Sequence, residues 1–328
     1  MRRHMAFSSE RELNDFLRRE TPLYISYSVG YFEFPSATPM EAKGLVGADL
    51  VFEFDVDELG INSPFDVVVD GKTVLFPDPE REDMLKEKVE TLVKDFLMGD
   101  LGIKRSEIFI NFSGNRGYHI HVRSEELRGL DKDARIEIVE YITGQSIDPR
   151  YFFDMDSLAL GKIIGPKPTD PGWFGRIARY MMQKYPEYAE IIKRGQWPIL
   201  YRGREGVLKT VQRWIREARE ASPYMGNAID VNTSVDIHRL IRLPGSLHGG
   251  TGLAAMPVRN LKTFYPYNDA VVLGERPYLT IFVKKCPEFE LKGETFGPFE
   301  NQKVELPLYA SIFLLGKGVA EWISTTSD

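Results

Sequence analysis

The sequence predicts an α+β protein, a β-rich body interrupted by a helical lobe. Three observations lead there. Leu50 to Asp57 (LVFEFDVD) alternates with a period of two, as a strand with one buried face requires: Leu50, Phe52, Phe54 and Val56 share one face, and Val51, Glu53, Asp55 and Asp57 the other. Ile108 to Phe112 and Tyr118 to Val122 are two further strands, joined by the turn SGNRG. Asp131 to Met225 has a helical pattern instead, and its second half, from Arg176 to Arg219, is crowded with Arg and Lys. Strands and a block of helices in one chain define α+β.

The elements follow in order. Ser9 to Arg19 is a short helix with Ser8 or Ser9 as its cap and Leu13, Phe16 and Leu17 on its apolar face. Tyr24 to Val29 is a strand. Asp66 to Leu75 is a hairpin turning at Asp70-Gly71, because a DG pair accepts the left-handed backbone a tight hairpin needs. Asp78 to Met98 is a long amphipathic helix stopped by Gly99. After the helical lobe, β-character returns at Ala228 and at Tyr278 to Val283, and an apolar helix around Leu308 to Ile323 closes the chain. The predicted division is a discontinuous body, 1–130 with 226–328, and an inserted lobe, 131–225.

Composition excludes several classes. With 43% hydrophobic content over 328 residues the chain can bury a sizeable core, and no apolar run approaches the ~18 residues of a membrane span. The start lacks a signal-peptide core, and the single cysteine, Cys286, permits no internal disulfide and no cysteine-based zinc site. A cytoplasmic protein is expected. A net charge of −6 argues against general polyanion binding, so any nucleic-acid contact needs locally concentrated cations or a partner.

Three segments carry chemistry. In LVFEFDVD three carboxylates share one face and repel each other. A bound divalent cation offsets that repulsion, and two aspartates two residues apart can share one; the alternative is a solvated acidic edge that discourages strand pairing. Ser113 to His121 (SGNRGYHIH) is a tight turn between strands. Gly114 and Gly117 permit positive φ and close approach of a ligand, and a hydroxyl, Arg116 and His119 beside them are donors suited to a triphosphate. His121 shares the strand face with His119 and is assigned a supporting role. Ile229 to Leu253 (IDVNTSVDIHRLIRLPGSLHGGTGL) places Asp230 at an apparent strand end. Ser234 or Asp236 would cap a short helix carrying His238 and Arg242 on one face, and Pro244 would stop it before a glycine loop with Ser246 and His248. A surface salt bridge is the expected role for one of His238 and Arg239. Carboxylates for metal and cations for phosphate make the parts list of two-metal phosphoryl or nucleotidyl transfer.

At these residues the sequence resembles the small, catalytic subunit of archaeal and eukaryotic replicative primases, over most of the chain. GADLVFEFDVD is similar to the family's acidic strand, which implies Asp55 and Asp57 as metal ligands. SGNRGYHIHV resembles its phosphate-binding motif, which implies Ser113, Arg116 and His119 as nucleotide contacts. IDVNTSVDIHRLIRLPGSLHGGTGL resembles the third motif, which implies Asp230 as the third carboxylate, with Asp236 the competing candidate, and Arg242 and His248 as triphosphate contacts. VELPLYASIFLLGKGVAEWI also resembles the archaeal ending.

The resemblance implies an α/β primase body of mixed and antiparallel sheets flanked by helices, with the helical lobe inserted between the second and third motifs. It implies primer synthesis on single-stranded DNA from nucleoside triphosphates with Mg²⁺ or Mn²⁺. The implied partner is a large subunit in a heterodimer at replication forks in the nucleoid. Two departures stand out. The family's zinc knuckle follows the acidic strand, yet Glu58 to Glu90 holds no Cys and no His, so zinc is not expected. Archaeal members usually have a few dozen residues, with an Arg-Glu-aromatic element, before the stretch matching Arg3 to Phe7. The rival readings are a primase–polymerase of the same fold for end-joining repair or plasmid replication, and a non-catalytic nucleic-acid-binding subunit.

Overall fold

The computed structural model describes residues 2–145, 152–154, 163–198, 205–206, 209–210, 212–214, 216–217 and 231–325. Ala228 and Asp230 lie outside them. In chain order the elements used below are helix α1 (Glu10–Glu20), β1 (Ser26–Ser28), β2 (Gly30–Phe32), β3 (Leu45–Ala48), β4 (Leu50–Asp55), β5 (Val67–Val69), β6 (Lys72–Val74), α2 (Pro79–Thr91), β7 (Ile108–Phe112), β8 (Gly117–Val122), α3 (Lys132–Thr143), α4 (Gly172–Lys184), α5 (Ala189–Lys193), α6 (Val231–Val235), β9 (Leu240–Arg242), β10 (Met256–Pro257), β11 (Leu279–Cys286), β12 (Phe299–Leu306), α7 (Leu308–Gly316) and β13 (Ala320–Thr325). Helices and antiparallel sheets together make the mixed α+β class that the sequence predicts.

The chain divides into two compact units. The first comprises Met1–Lys86, Ser106–Lys132 and Asp230–Asp328. Its central sheet has the order β10-β7-β8-β4, with every pairing antiparallel. Leu50, Phe52 and Phe54 on β4 are fully buried, and Phe112, Tyr118 and Ile120 join them in the core. Each such side chain contributes about 1.5–3 kcal/mol through area removed from water. Opposite them, the register lays out rows: Phe109, His121 and Val51 in one, Asn111, His119 and Glu53 in the next, then Gly117 beside Asp55. The ribbon β1–β9 runs antiparallel with Ser26 opposite Arg242, and Val29 and Ile241 pack on Val51. A second sheet, β12-β11-β13, packs against α7.

The 66–75 hairpin turns at Asp70 and Gly71, both left-handed with φ of 49° and 76°. Three elements differ from expectation. The strand predicted to reach Asp57 ends at Asp55, where a 3₁₀ turn, Val56–Leu59, begins. The helix predicted over 78–98 is α-helical only to Thr91 and continues as a π-helical stretch, Leu92–Asp100, with Gly99 inside it rather than at its stop. The predicted closing helix ends at Gly316, and Gly318, at φ 74°, turns the chain into strand β13. A local cap by Asp55 ends the first, and pairing with β11 draws the last into a strand.

The second unit comprises Glu87–Arg105 and Asp133–Ile229, and α3, α4 and α5 are among its helices. Its polar core is built on Arg176. The guanidinium donates to Asp100 at 2.6 Å and to the Asp95 carbonyl at 2.8 Å, over the ring of Phe96. Part of the basic stretch is paired within the unit, since Lys184 and Arg213 both reach Glu217 at 2.7 Å.

Candidate nucleotide site

Where β4 ends, Asp55 caps the 3₁₀ turn by accepting the Asp57 amide at 3.1 Å. That cap removes Asp57 from the strand face. Arg116 nevertheless reaches both carboxylates: Nε lies 3.6 Å from Asp55 Oδ1, and Nη2 donates to Asp57 Oδ2 at 2.6 Å. Burial pushes the Asp55 carboxyl up, and the Arg116 guanidinium works against that rise. Two carboxylates drawn to one cation, with one of them disfavoured as a bare anion, are a donor set that fits a hard cation. Among the described residues, no group of three His, Cys, Asp or Glu side chains forms a metal site, and Asp230 lies outside them.

Arg116 sits on the β7–β8 turn. Ser113 Oγ organises that turn by accepting the amides of Asn115 at 3.3 Å and Gly117 at 3.2 Å. Gly114 takes φ 83°, as expected, and a Cβ there would lie 3.0 Å from the His248 side chain. Gly117 does not take positive φ. It is glycine because a Cβ would fall 2.1 Å from the Phe54 carbonyl.

The third segment folds differently from its predicted helix. The described helix there, α6, precedes His238, and Arg242 stands on strand β9, so His238 and Arg242 do not share a helix face. Asp236 accepts the His238 amide at 2.9 Å in a local turn, and the His238 ring stacks on Phe32. Strand pairing with β1 overrides the helical spacing. Arg242 lies over the Tyr24 ring at 4.8 Å, and the edge of that ring meets His248. His248 Nδ1 accepts the Gly250 amide at 3.1 Å. Burial, followed by the charge of Arg242, draws His248 down to about 4, so it is neutral near pH 7. With Nδ1 used as an acceptor, the neutral ring carries its proton on Nε2 and offers it as a donor.

Asp55, Ser113, His119, Arg242 and His248 line one cavity of about 220 Å³. Arg116 joins it through Asp55. The structure thus brings Asp55, Ser113, His119, Arg242 and His248 together, with Arg116 and the off-strand Asp57 tied in by their ion pairs, whereas Asp236 and His238 do not line the cavity. His121 is fully buried below Tyr27 and does not line the cavity. Ser26, Glu53, Asn115 and Arg239 line it too and were not singled out as site residues. Glu53 had a legible signal, because it shares the strand alternation with Asp55. A salt bridge is the role expected for one of His238 and Arg239, and Arg239 pairs with Glu53 at 3.2 Å. The neighbouring His119, together with Thr233 and Arg239, holds Glu53 at about 2 against the opposing effect of burial.

The DNA primase small subunit family matches residues 78–260, more than half of the chain. The DNA primase small subunit PriS of Methanothrix thermoacetophila is 34% identical over 98% of this chain and 89% of its own length. That of Methanosarcina mazei is 33% identical over 98% of this chain and 87% of its own. That of Archaeoglobus fulgidus is 30% identical over 99% and 87%. The class defined by these matches is a nucleotidyltransferase-type enzyme of DNA replication. The chain belongs to the DNA primase small subunit family.

Proposed function

We propose that this chain is the catalytic subunit of a DNA primase, making short primers on single-stranded DNA from nucleoside triphosphates by two-metal nucleotidyl transfer. The observation that carries the reading is the meeting, in one cavity, of the acidic strand end with His119, Arg242 and His248. Asp55, Asp57 and Asp230 are the residues that would hold Mg²⁺ or Mn²⁺. Such ions, when bound, neutralise the transferring phosphate and activate the attacking hydroxyl. Arg242 and neutral His248 grip the triphosphate, one as a charge and the other as an Nε2–H donor. His119, directly across from Glu53, contacts the same group, and Ser113 holds the turn that presents Arg116. Arg116 offers charge-assisted bonds where negative charge grows on leaving pyrophosphate, so it contributes most in the transition state.

The proposed partner is a primase large subunit in a heterodimer, and the proposed setting is the cytoplasmic nucleoid at replication forks. Among the described residues no helix is long and apolar enough to cross a membrane. The test incubates the purified chain with single-stranded DNA, labelled ribo- or deoxyribonucleoside triphosphates and Mn²⁺, with and without the large subunit. Oligomers made without a primer are expected. Extension only of pre-annealed, gapped duplexes would favour the repair polymerase reading, and no incorporation under any condition would favour the non-catalytic one.

A further inference from the structure

Glu53 stands two residues before Asp55 on the same face of β4 and lines the same cavity, yet its carboxylate is already engaged by the protein. Oε1 lies 3.6 Å from His119 Nε2, directly across the β4–β8 register. Oε2 accepts the Thr233 hydroxyl at 2.8 Å and an Arg239 N–H at 3.2 Å. Thr233 is 2% exposed and sits on α6, which packs against β4 and begins immediately after Asp230 in the chain. One carboxylate therefore touches three segments that converge on the cavity: β8 through His119, α6 through Thr233, and the turn before β9 through Arg239.

We infer that Glu53 is a positioning residue of the nucleotide site: it orients His119 and Arg239 and pins the segment that follows Asp230 against β4. Glu53 is set apart from a third metal carboxylate because Oε2 already accepts two hydrogen bonds, from Thr233 and Arg239, and Oε1 faces His119. The geometry has a physical logic. A carboxylate directly opposite an imidazole fixes the ring's orientation, as the outer partners of ligating histidines do elsewhere. A buried hydroxyl bonded to a charged acceptor holds its helix more firmly than a neutral pair would. This inference rests on the reading of the cavity as a nucleotide site, but part of it can be tested without that reading.

Two measurements test it. In the first, steady-state primer synthesis is compared for wild type, Glu53→Ala, Glu53→Gln and Asp55→Asn across a Mn²⁺ titration. Glu53→Ala is expected to lose roughly tenfold to a hundredfold in kcat/KM, with nucleotide KM raised, at an unchanged Mn²⁺ requirement. Glu53→Gln keeps an acceptor for Thr233 and Arg239 and is expected to recover most of that loss. Glu53→Gln as inactive as Asp55→Asn, or a shifted Mn²⁺ requirement, would overturn the inference in favour of a metal ligand. Wild-type kinetics in Glu53→Ala would overturn it outright. The second measurement needs no activity. Thermal melting of Glu53→Ala, Thr233→Val and the double variant is expected to show a drop in the double variant smaller than the two single drops combined. Additive drops would remove the link between Glu53 and α6, whatever the chain polymerises.

Discussion

The Thr251 hydroxyl donates to the Gly114 carbonyl at 2.6 Å, joining two cavity loops 137 residues apart in sequence. The joint is tight on every side. His248 donates its amide to Leu253 at 2.8 Å and accepts the Gly252 amide at 2.7 Å, and a Cβ at Gly316, the end of α7, would lie 2.8 Å from Gly250. Thr251→Val removes the donor without changing the shape and strands the Gly114 carbonyl, a cost of about 1–3 kcal/mol. A lowered melting temperature and a raised nucleotide KM are expected together, and Thr251→Ser should restore both.

Asp55→Asn and Asp57→Asn are each expected to lower nucleotide incorporation by at least about a hundredfold, since removing a carboxylate from the proposed two-metal site would forfeit transition-state charge stabilisation. Folding should survive, because the shapes are retained and the mutual repulsion disappears. Incorporation assays beside circular dichroism check both halves, and full activity in either variant would end the metal assignment.

Arg116 is the shared cation of these aspartates, so its removal leaves them facing each other. Arg116→Ala is expected to raise nucleotide KM and lower kcat. It should also melt lower without metal and gain more from added Mn²⁺ than wild type gains, since the cation then enters without competing with a guanidinium. Melting curves with and without Mn²⁺ decide this, with Asp55→Asn as the variant that gains least.

His121 is fully buried, and burial draws it down to about 3. In the unfolded chain an imidazole titrates near ~6.5. Between those values the unfolded state binds more protons, so stability falls as pH drops through that window. His248, drawn to about 4, acts in the same direction. Glu53, held at about 2, loses its contribution only below about 4.5, while burial raises the Asp55 and Glu82 carboxyls, whose effect on the slope has the opposite sign, so it is the difference between wild type and His121→Phe from pH 6.5 to 4.5 that isolates the histidine. His121→Phe is expected to flatten the slope in that window and to leave stability at pH 7.5 unchanged or raised.

Downstream of Asp57, Arg81 clamps the chain by donating to Asp66 at 2.9 and 2.6 Å from a position only 4% exposed. Phe76 adds packing against Phe289 and Phe313. Arg81→Ala leaves the half-buried Asp66 carboxylate without its two-point partner, a loss of about 1–3 kcal/mol that a urea midpoint would register. Arg81→Ala with Asp66→Ala should cost less than the two single changes combined.

The acidic strand, the hairpin at Asp70-Gly71 and the turn SGNRG were legible because each is a local pattern with a local cause. The limits of that reading were also physical. Alternation continues through Val56 and Asp57, but a backbone amide bonded to Asp55 stops the strand. His238 and Arg242 have helical spacing, but their backbone pairs across to β1, and nothing in four residues of sequence reports a partner two hundred residues away. Glu53 was visible as a third carboxylate. Its engagement by Thr233 and Arg239 was not, because hydrogen bonds at that separation follow from the fold.

That same pairing sets a schedule for synthesis. Ser28 finds its strand partner in Leu240, so β1 leaves the ribosome long before the segment that completes it. At about 5–20 residues per second, the wait is on the order of ten to forty seconds. Through that interval Tyr27 and Val29 lack their cover, and the cavity lacks Arg242 and His248. The cavity therefore closes only after the inserted segment has been made, and a nascent chain released before Leu240 carries an open strand edge in its place.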